Sequence, residues 1–182
     1  MAKTVAVLVG SVDPDSLNRR LAKAMMKGAP DSLEFVEVPI AQLPFYMSAY
    51  DTAPTPEGQQ AREIVSRADG VLLITPEYNR SMPAVLKNAI DWLSRPKGHS
   101  AFAGKPVLIA GATGGAIGTA VAQSQARSIL PMMGAIVMGT PELYLTLQKG
   151  DFATDGTAKT PGTQDFLTSA MADFAAFIAR LG

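Results

Sequence analysis

Five short apolar runs punctuate the chain: Thr4 to Val9, Leu33 to Val38, Gly70 to Thr75, Pro106 to Gly111 and Ala135 to Met138. Most are unbroken Val/Ile/Leu stretches rather than in-out alternations. That pattern predicts strands covered on both faces, as in a parallel sheet between two helix layers. Between the runs, apolar residues recur at helical spacing. Leu17, Leu21, Ala24 and Met25 follow the first, and Ala61, Ile64, Val65 and Ala68 precede the third. Val85, Leu86, Ala89, Ile90 and Leu93 come next, then Ala122, Ala126, Ile129 and Leu130. Phe166, Leu167, Ala170, Phe174, Phe177, Ile178 and Leu181 predict a closing helix. Ser16 and Ser81 suit N-caps, Pro83 a first helical turn, and Gly28 and Gly134 helix ends. The alternation predicts right-handed crossovers and an α/β, doubly wound, five-stranded parallel sheet of order 2-1-3-4-5, with helices on both faces.

Two polar stretches interrupt this pattern. Asp51 to Gly58 reads as a loop before the second helix, and Gln148 to Gly162 as a solvated connection before the last. Neither has the character of a domain linker, so the expectation is one domain over residues 1–182. Hydrophobic residues make up 47% of the chain, enough for a sizeable core. The 16 basic and 16 acidic residues cancel, which argues against a nucleic-acid binder and against a strongly acidic electron carrier. No cysteine is present, which removes disulfides, thiolate metal sites and thiol nucleophiles. A single histidine, His99, lies in a polar turn and reads as solvated. The apolar runs are too short to span a bilayer and no signal peptide is recognisable, so the expected setting is cytoplasmic, without a membrane partner.

Ligands in such sheets bind where the strands end at their carboxyl edge. Three loops leave that edge. The first, Gly10 to Arg19, places Ser11, Ser16 and Asn18 around a helix start whose free N–H groups favour a phosphate; Asp13 and Asp15 oppose this unless they point to solvent. The second, Thr75 to Pro83, carries Glu77, Tyr78, Asn79 and Arg80 between two prolines that stiffen it. The third, Ala110 to Thr119, is glycine-rich and permits close backbone approach. It lacks G-x-G spacing and a Gly-Lys-Ser/Thr sequence, so neither a dinucleotide fingerprint nor a Walker loop is present. A Ser/His/Asp hydrolase is excluded by the lack of a Gly-x-Ser-x-Gly elbow and by the position of the one histidine. Lys87 and Asp91, four residues apart on one helix, read as a surface ion pair, and the methionines as core or interface filler.

At these loops the sequence resembles the NADPH-dependent FMN reductase family, which includes quinone, azo-dye and chromate reductases. Gly10, Ser11, Ser16 and Asn18 match its first loop. Pro76 to Asn79, Ser81, Pro83 and Leu86 to Trp92 match its long Pro-Glu-Tyr-Asn motif, and Gly104 to Pro106 and Leu43 to Tyr46 match two shorter ones. The resemblance implies a flavodoxin-like fold and FMN as cofactor. It places Ser11, Ser16, Leu17 and Asn18 around the phosphate, Pro76, Glu77, Tyr78 and Asn79 on the ribityl chain and ring, and Ala112, Thr113 and Gly114 beside the ring. NADPH or NADH would be the co-substrate and a quinone-like molecule the acceptor, in a homodimer or homotetramer. The other reading is a flavodoxin-type carrier without pyridine-nucleotide activity. Two departures stand out. Asp13 replaces the family's arginine, which implies weaker FMN binding or a transfer of its task to Arg19 or Arg20; Ala84 replaces its usual glycine. Arg80 is the expected contact for nucleotide phosphates. Oligomerisation is expected also from the helix at Pro83 to Ser94, whose apolar residues, Trp92 among them, cover more than one face.

Overall fold

A computed structural model describes residues 2–182. Its element order is β1 (Lys3–Val9), α1 (Leu17–Lys27), β2 (Leu33–Glu37), α2 (Pro56–Arg67), β3 (Gly70–Ile74) and α3 (Ala84–Leu93), then β4 (Pro106–Thr113), α4 (Ala120–Ile129), β5 (Ile136–Val137), β6 (Leu143–Thr146) and α5 (Pro161–Leu181). The strands are parallel, in the order β2-β1-β3-β4-β5, with β6 also on β4.

The last sheet position is filled in two pieces. β5 pairs with the start of β4, at Pro106 and Val107, and β6 with its end, at Ala110 to Thr113. The expected single strand at Ala135 to Met138 is thus shorter than predicted, and β6 is an addition. The break falls at Gly139-Thr140-Pro141, where proline has no N–H to give a ladder.

The central strands alternate their side chains between two cores. Val5, Val7, Leu72, Ile74, Leu108 and Ala110 face α1 and α5, packing on Leu21, Met25, Leu167 and Phe174. Ala6, Leu8, Val71, Leu73, Val107 and Ile109 face α2, α3 and α4. Both faces are dry, which is why the strand sequences are continuously apolar.

The helix ends correct several expectations. α2 begins at Pro56, inside the expected loop, because the Thr55 hydroxyl accepts the Gly58 N–H at 3.2 Å and Pro56 needs no donor partner in the first turn. α5 likewise starts at Pro161, before Phe166. Ser16 caps α1, accepting the Arg19 N–H at 3.1 Å, and Gly28 ends it. Ser81 does not cap α3. Pro83 holds that position, and the Ser81 hydroxyl donates to Gln125 Oε1 at 2.9 Å instead. Gly134 adopts a left-handed φ of 85° after a short turn that follows α4.

Trp92, counted in the sequence among apolar residues in excess of one buried face, is fully buried within the chain. Tyr50 stacks on it at 4.8 Å, and Tyr46 meets it edge-on. Gly58 of α2 lies against its ring: an added Cβ would sit 2.1 Å from Cζ3. Its Nε1 donates to Pro44 O at 2.8 Å, beside a bond at 2.9 Å from Asn88 Nδ2 to the same oxygen. These bonds pin the Leu43 to Tyr46 segment to α3.

Candidate functional site

The carboxyl ends of β1, β3 and β4 lie side by side, held in register by Gly10 N–H to Ile74 O at 2.8 Å and Thr75 N–H to Ala110 O at 2.9 Å. β4 runs on to Thr113, so Ala112 and Thr113 belong to the strand end rather than to a loop. A cavity of about 230 Å³ opens there. Ser11, Ser16, Leu17, Asn18, Pro76, Glu77, Tyr78, Ala112, Thr113 and Gly114 line it, with Asp13 and Lys149. Asn79 lines a second, larger cavity of about 610 Å³ with Arg80, Gly115, Ala116 and Ile117; Glu77 and Thr113 border both. The site residues expected from sequence therefore converge on two adjoining hollows from three different loops.

The small hollow suits an anion. Ser11 and Ser16 are buried hydroxyl residues beside the α1 N-terminus. The Arg19 and Arg20 N–H groups bond to Ser16. The N–H groups of Leu17 and Asn18 precede them in the first turn, where a helix has no internal acceptors to offer. Backbone donors, dipole and hydroxyls thus point the same way.

Asn18 has a different task from its neighbours. Its amide accepts the Ala112 N–H at 2.9 Å and donates to Ala112 O at 2.9 Å. This buried pair locks the first loop to the end of β4 and sets the width of the cavity.

Glu77 is also engaged. One carboxylate oxygen accepts the N–H groups of Val121 and Ala122, both at 3.0 Å. It thereby caps α4 from the second loop, in place of Thr119, whose side chain makes no capping bond. Thr119 sits at a φ of 66°, an uncommon conformation for a β-branched residue. Gly111 makes this possible. A Cβ there would lie 2.2 Å from Thr75 O and 2.3 Å from Thr119 Oγ1.

The rim of the second loop is a tight hairpin. Tyr78 and Ser81 exchange backbone bonds of 3.0 Å, and Asn79 and Arg80 between them have φ values of 52° and 60°. Both central residues at positive φ are the requirement of a type I′ turn. It leaves the Tyr78 ring exposed above the cavity edge. Arg80 projects over the larger hollow, its Nη1 3.7 Å from Glu77 Oε1.

Reading the sequence missed the segment after β6. Rather than a free connection, Gln148 to Asp151 is a closed turn: Gln148 N–H donates to Asp151 Oδ2 at 2.7 Å, and Gln148 Nε2 reaches Gly114 O at 3.4 Å. Phe152 and Ala158 beyond it are buried. Lys27 of α1 donates to Asp155 and to Thr157 Oγ1. This segment brings Lys149 to the small cavity. The signal in sequence was a Gln-Lys-Gly-Asp tetrapeptide one residue beyond the short Leu-Tyr-Leu-Thr run, a polar cap following a strand.

His99 is exposed, and Lys87 Nζ pairs with Asp91 at 2.7 and 2.8 Å, both as expected. No group of three or more metal-ligating side chains exists among the described residues.

A parallel sheet of this order, with a small polar cavity at the first helix start and a wider hollow beside it, defines the flavodoxin-like class. Within that class the chain belongs to the NADPH-dependent FMN reductase family, which residues 3–150 match. It is 41% identical over 178 residues to a 2-hydroxy-1,4-benzoquinone reductase from Burkholderia sp, covering 98% of this chain and 97% of that one. It is also 41% identical over 182 residues to a quinone reductase from Escherichia coli strain K12, covering 97% and 96%. Among solved structures it superimposes on FerB, a flavoenzyme NAD(P)H:(acceptor) oxidoreductase from Paracoccus denitrificans, with a TM-score of 0.95, 38% identity and full coverage of both chains.

Proposed function

We propose that the chain, acting as one domain over residues 1–182, is an FMN-dependent oxidoreductase that takes electrons from NAD(P)H and delivers them to quinones. The observation that carries this reading is the convergence of the sequence-matched loops on one polar cavity with an adjoining open hollow. The donor set fits a flavin mononucleotide. Buried hydroxyls and helix-start amides suit its phosphate, and a wider space bordered by Thr113 and Glu77 suits a flat ring system. FMN, when bound, supplies the chemistry: it exchanges two electrons with nicotinamide on one side of the reaction and with a quinone on the other.

The protein's own part is positioning. Ser11, Ser16 and the first turn of α1 hold the phosphate; Pro76 to Asn79 and Ala112 to Gly114 flank the ribityl chain and ring. Asn18 fixes the distance between the first and third loops, and Glu77 fixes the second loop against α4. Arg80, exposed beside the larger hollow, offers a cation to a nucleotide phosphate. No side chain is required as nucleophile or proton relay, in keeping with a chain of no cysteine and one histidine.

The reading extends to a homo-oligomer in the cytoplasm, with no membrane or nucleic-acid partner. The apolar surface that supports assembly is not on Trp92 but at Phe45, 80% exposed, and Met132, 81% exposed, with Met47 also outside. No helix of the described residues is long and apolar enough to cross a membrane. The test is steady-state oxidation of NADPH by the FMN-loaded protein with a benzoquinone as acceptor. Turnover that needs both FMN and quinone is expected; a protein that binds FMN but leaves NADPH unoxidised would make it a carrier.

A further inference from the structure

The small cavity poses a charge problem. Two carboxylate residues, Asp13 and Glu77, line it, and the only basic residue lining it among the described ones is Lys149. The two arginines in the first turn of α1 are committed elsewhere. Arg19 Nη1 bonds Glu37 Oε1 at 2.7 Å, and Arg20 grips Asp15 Oδ1 through Nε and Nη2 at 3.0 and 2.5 Å. Lys149 is placed differently. Its Nζ stands 3.7 Å from Asp13 Oδ2 and 3.5 Å from Asp15 Oδ2. At those separations it is attracted without being tightly hydrogen-bonded, so its donors stay free for a better acceptor. Its backbone, by contrast, is anchored. The Gln148–Asp151 turn docks on Gly114 O, and Arg20 Nη1 donates to Lys149 O at 3.4 Å. A flexible stem on a fixed base can present an ammonium to the cavity mouth.

We infer that Lys149 is the cation that meets the phosphate of the bound flavin nucleotide, held ready at the cavity mouth by the Asp13 and Asp15 carboxylates. This rests on the FMN reading above. A phosphate monoester is close to a dianion at neutral pH and has three strong acceptor oxygens. It outcompetes two half-hydrated carboxylates for one ammonium. The acidic residues of the first loop then have a definite role: they neutralise the lysine when no phosphate is present and yield it when one arrives. Asp13 acts against the phosphate once Lys149 has turned to it, so the two residues have opposite effects on affinity.

The experiment is a titration of wild type and variants with FMN and, in parallel, riboflavin, which has the same ring and ribityl chain without the phosphate. Quenching of flavin fluorescence reports binding. Lys149→Gln is expected to weaken FMN about tenfold, with riboflavin changed by less than about twofold. Its FMN affinity should depend less on salt than the wild type's. Lys149→Arg should restore most of the affinity, and Asp13→Asn should tighten FMN a few-fold. An unchanged FMN affinity in Lys149→Gln, or an equal loss for both flavins, overturns the inference while leaving the FMN reading in place. A wild type that binds neither flavin removes both.

Discussion

Several of the residues at the carboxyl edge hold the site together through bonds to the protein's own backbone. Asn18 bonds through its side-chain amide to both the N–H and the C=O of Ala112. Asn18→Ala leaves a buried N–H and C=O unpaired and should cost about 2–3 kcal/mol, read as a lower urea midpoint, with weaker FMN binding as the loops part. Gly111 is a matter of space. A methyl group there collides with Thr75 O and Thr119 Oγ1, so Gly111→Ala should cost about 3 kcal/mol by the same measurement. These roles were only half legible in the sequence. The residue types and loops carrying Ser11, Asn18 and Glu77 stood out. That Asn18 latches β4, and that Glu77 caps a helix more than 40 positions on, depends on side-chain partners distant in the chain. Local patterns do not encode those.

At the scale of elements, continuous Val/Ile/Leu runs announced the parallel sheet because both faces are covered, and the five alternating strands pointed to the flavodoxin-like order 2-1-3-4-5 that the sheet has. Ser81 has the chemistry of a cap, but Gln125 of α4 claims its hydroxyl. β6 is four residues long and follows a proline, too short to show a period. The start of α2 was readable after all from Thr55-Pro56, a cap followed by a first-turn proline. The Tyr78–Ser81 hairpin carries a cost of its own. Arg80 at a φ of 60° gives up about 1 kcal/mol relative to glycine. Arg80→Gly should therefore raise the thermal midpoint while weakening NADPH more than FMN, as separate KM and Kd measurements would reveal. Equal losses for both ligands would place Arg80 in flavin binding instead.

For the whole molecule, charge and apolar surface set the expectations. Hydrogen bonding from the Lys27 ammonium holds the Asp155 carboxyl well below its ordinary value, and bonding from Arg20 lowers that of Asp15. Both groups ionise more readily folded than unfolded. Their contribution is fully present above the ordinary carboxylate range near pH 4 and is lost as pH falls through their depressed values. The thermal midpoint should be level from about pH 5 to 7 and fall below about pH 4, with a smaller fall in Asp155→Asn. Phe45 and Met132 predict self-association: sedimentation should give a multiple of the 19.1 kDa chain mass, reduced in Phe45→Glu with Met132→Glu. The central claim concerns electrons passing through one cradle, and anaerobic absorbance of the FMN-loaded protein tests it most directly. One equivalent of NADPH should bleach the visible flavin band and a benzoquinone added next should restore it; a band indifferent to NADPH would contradict the account.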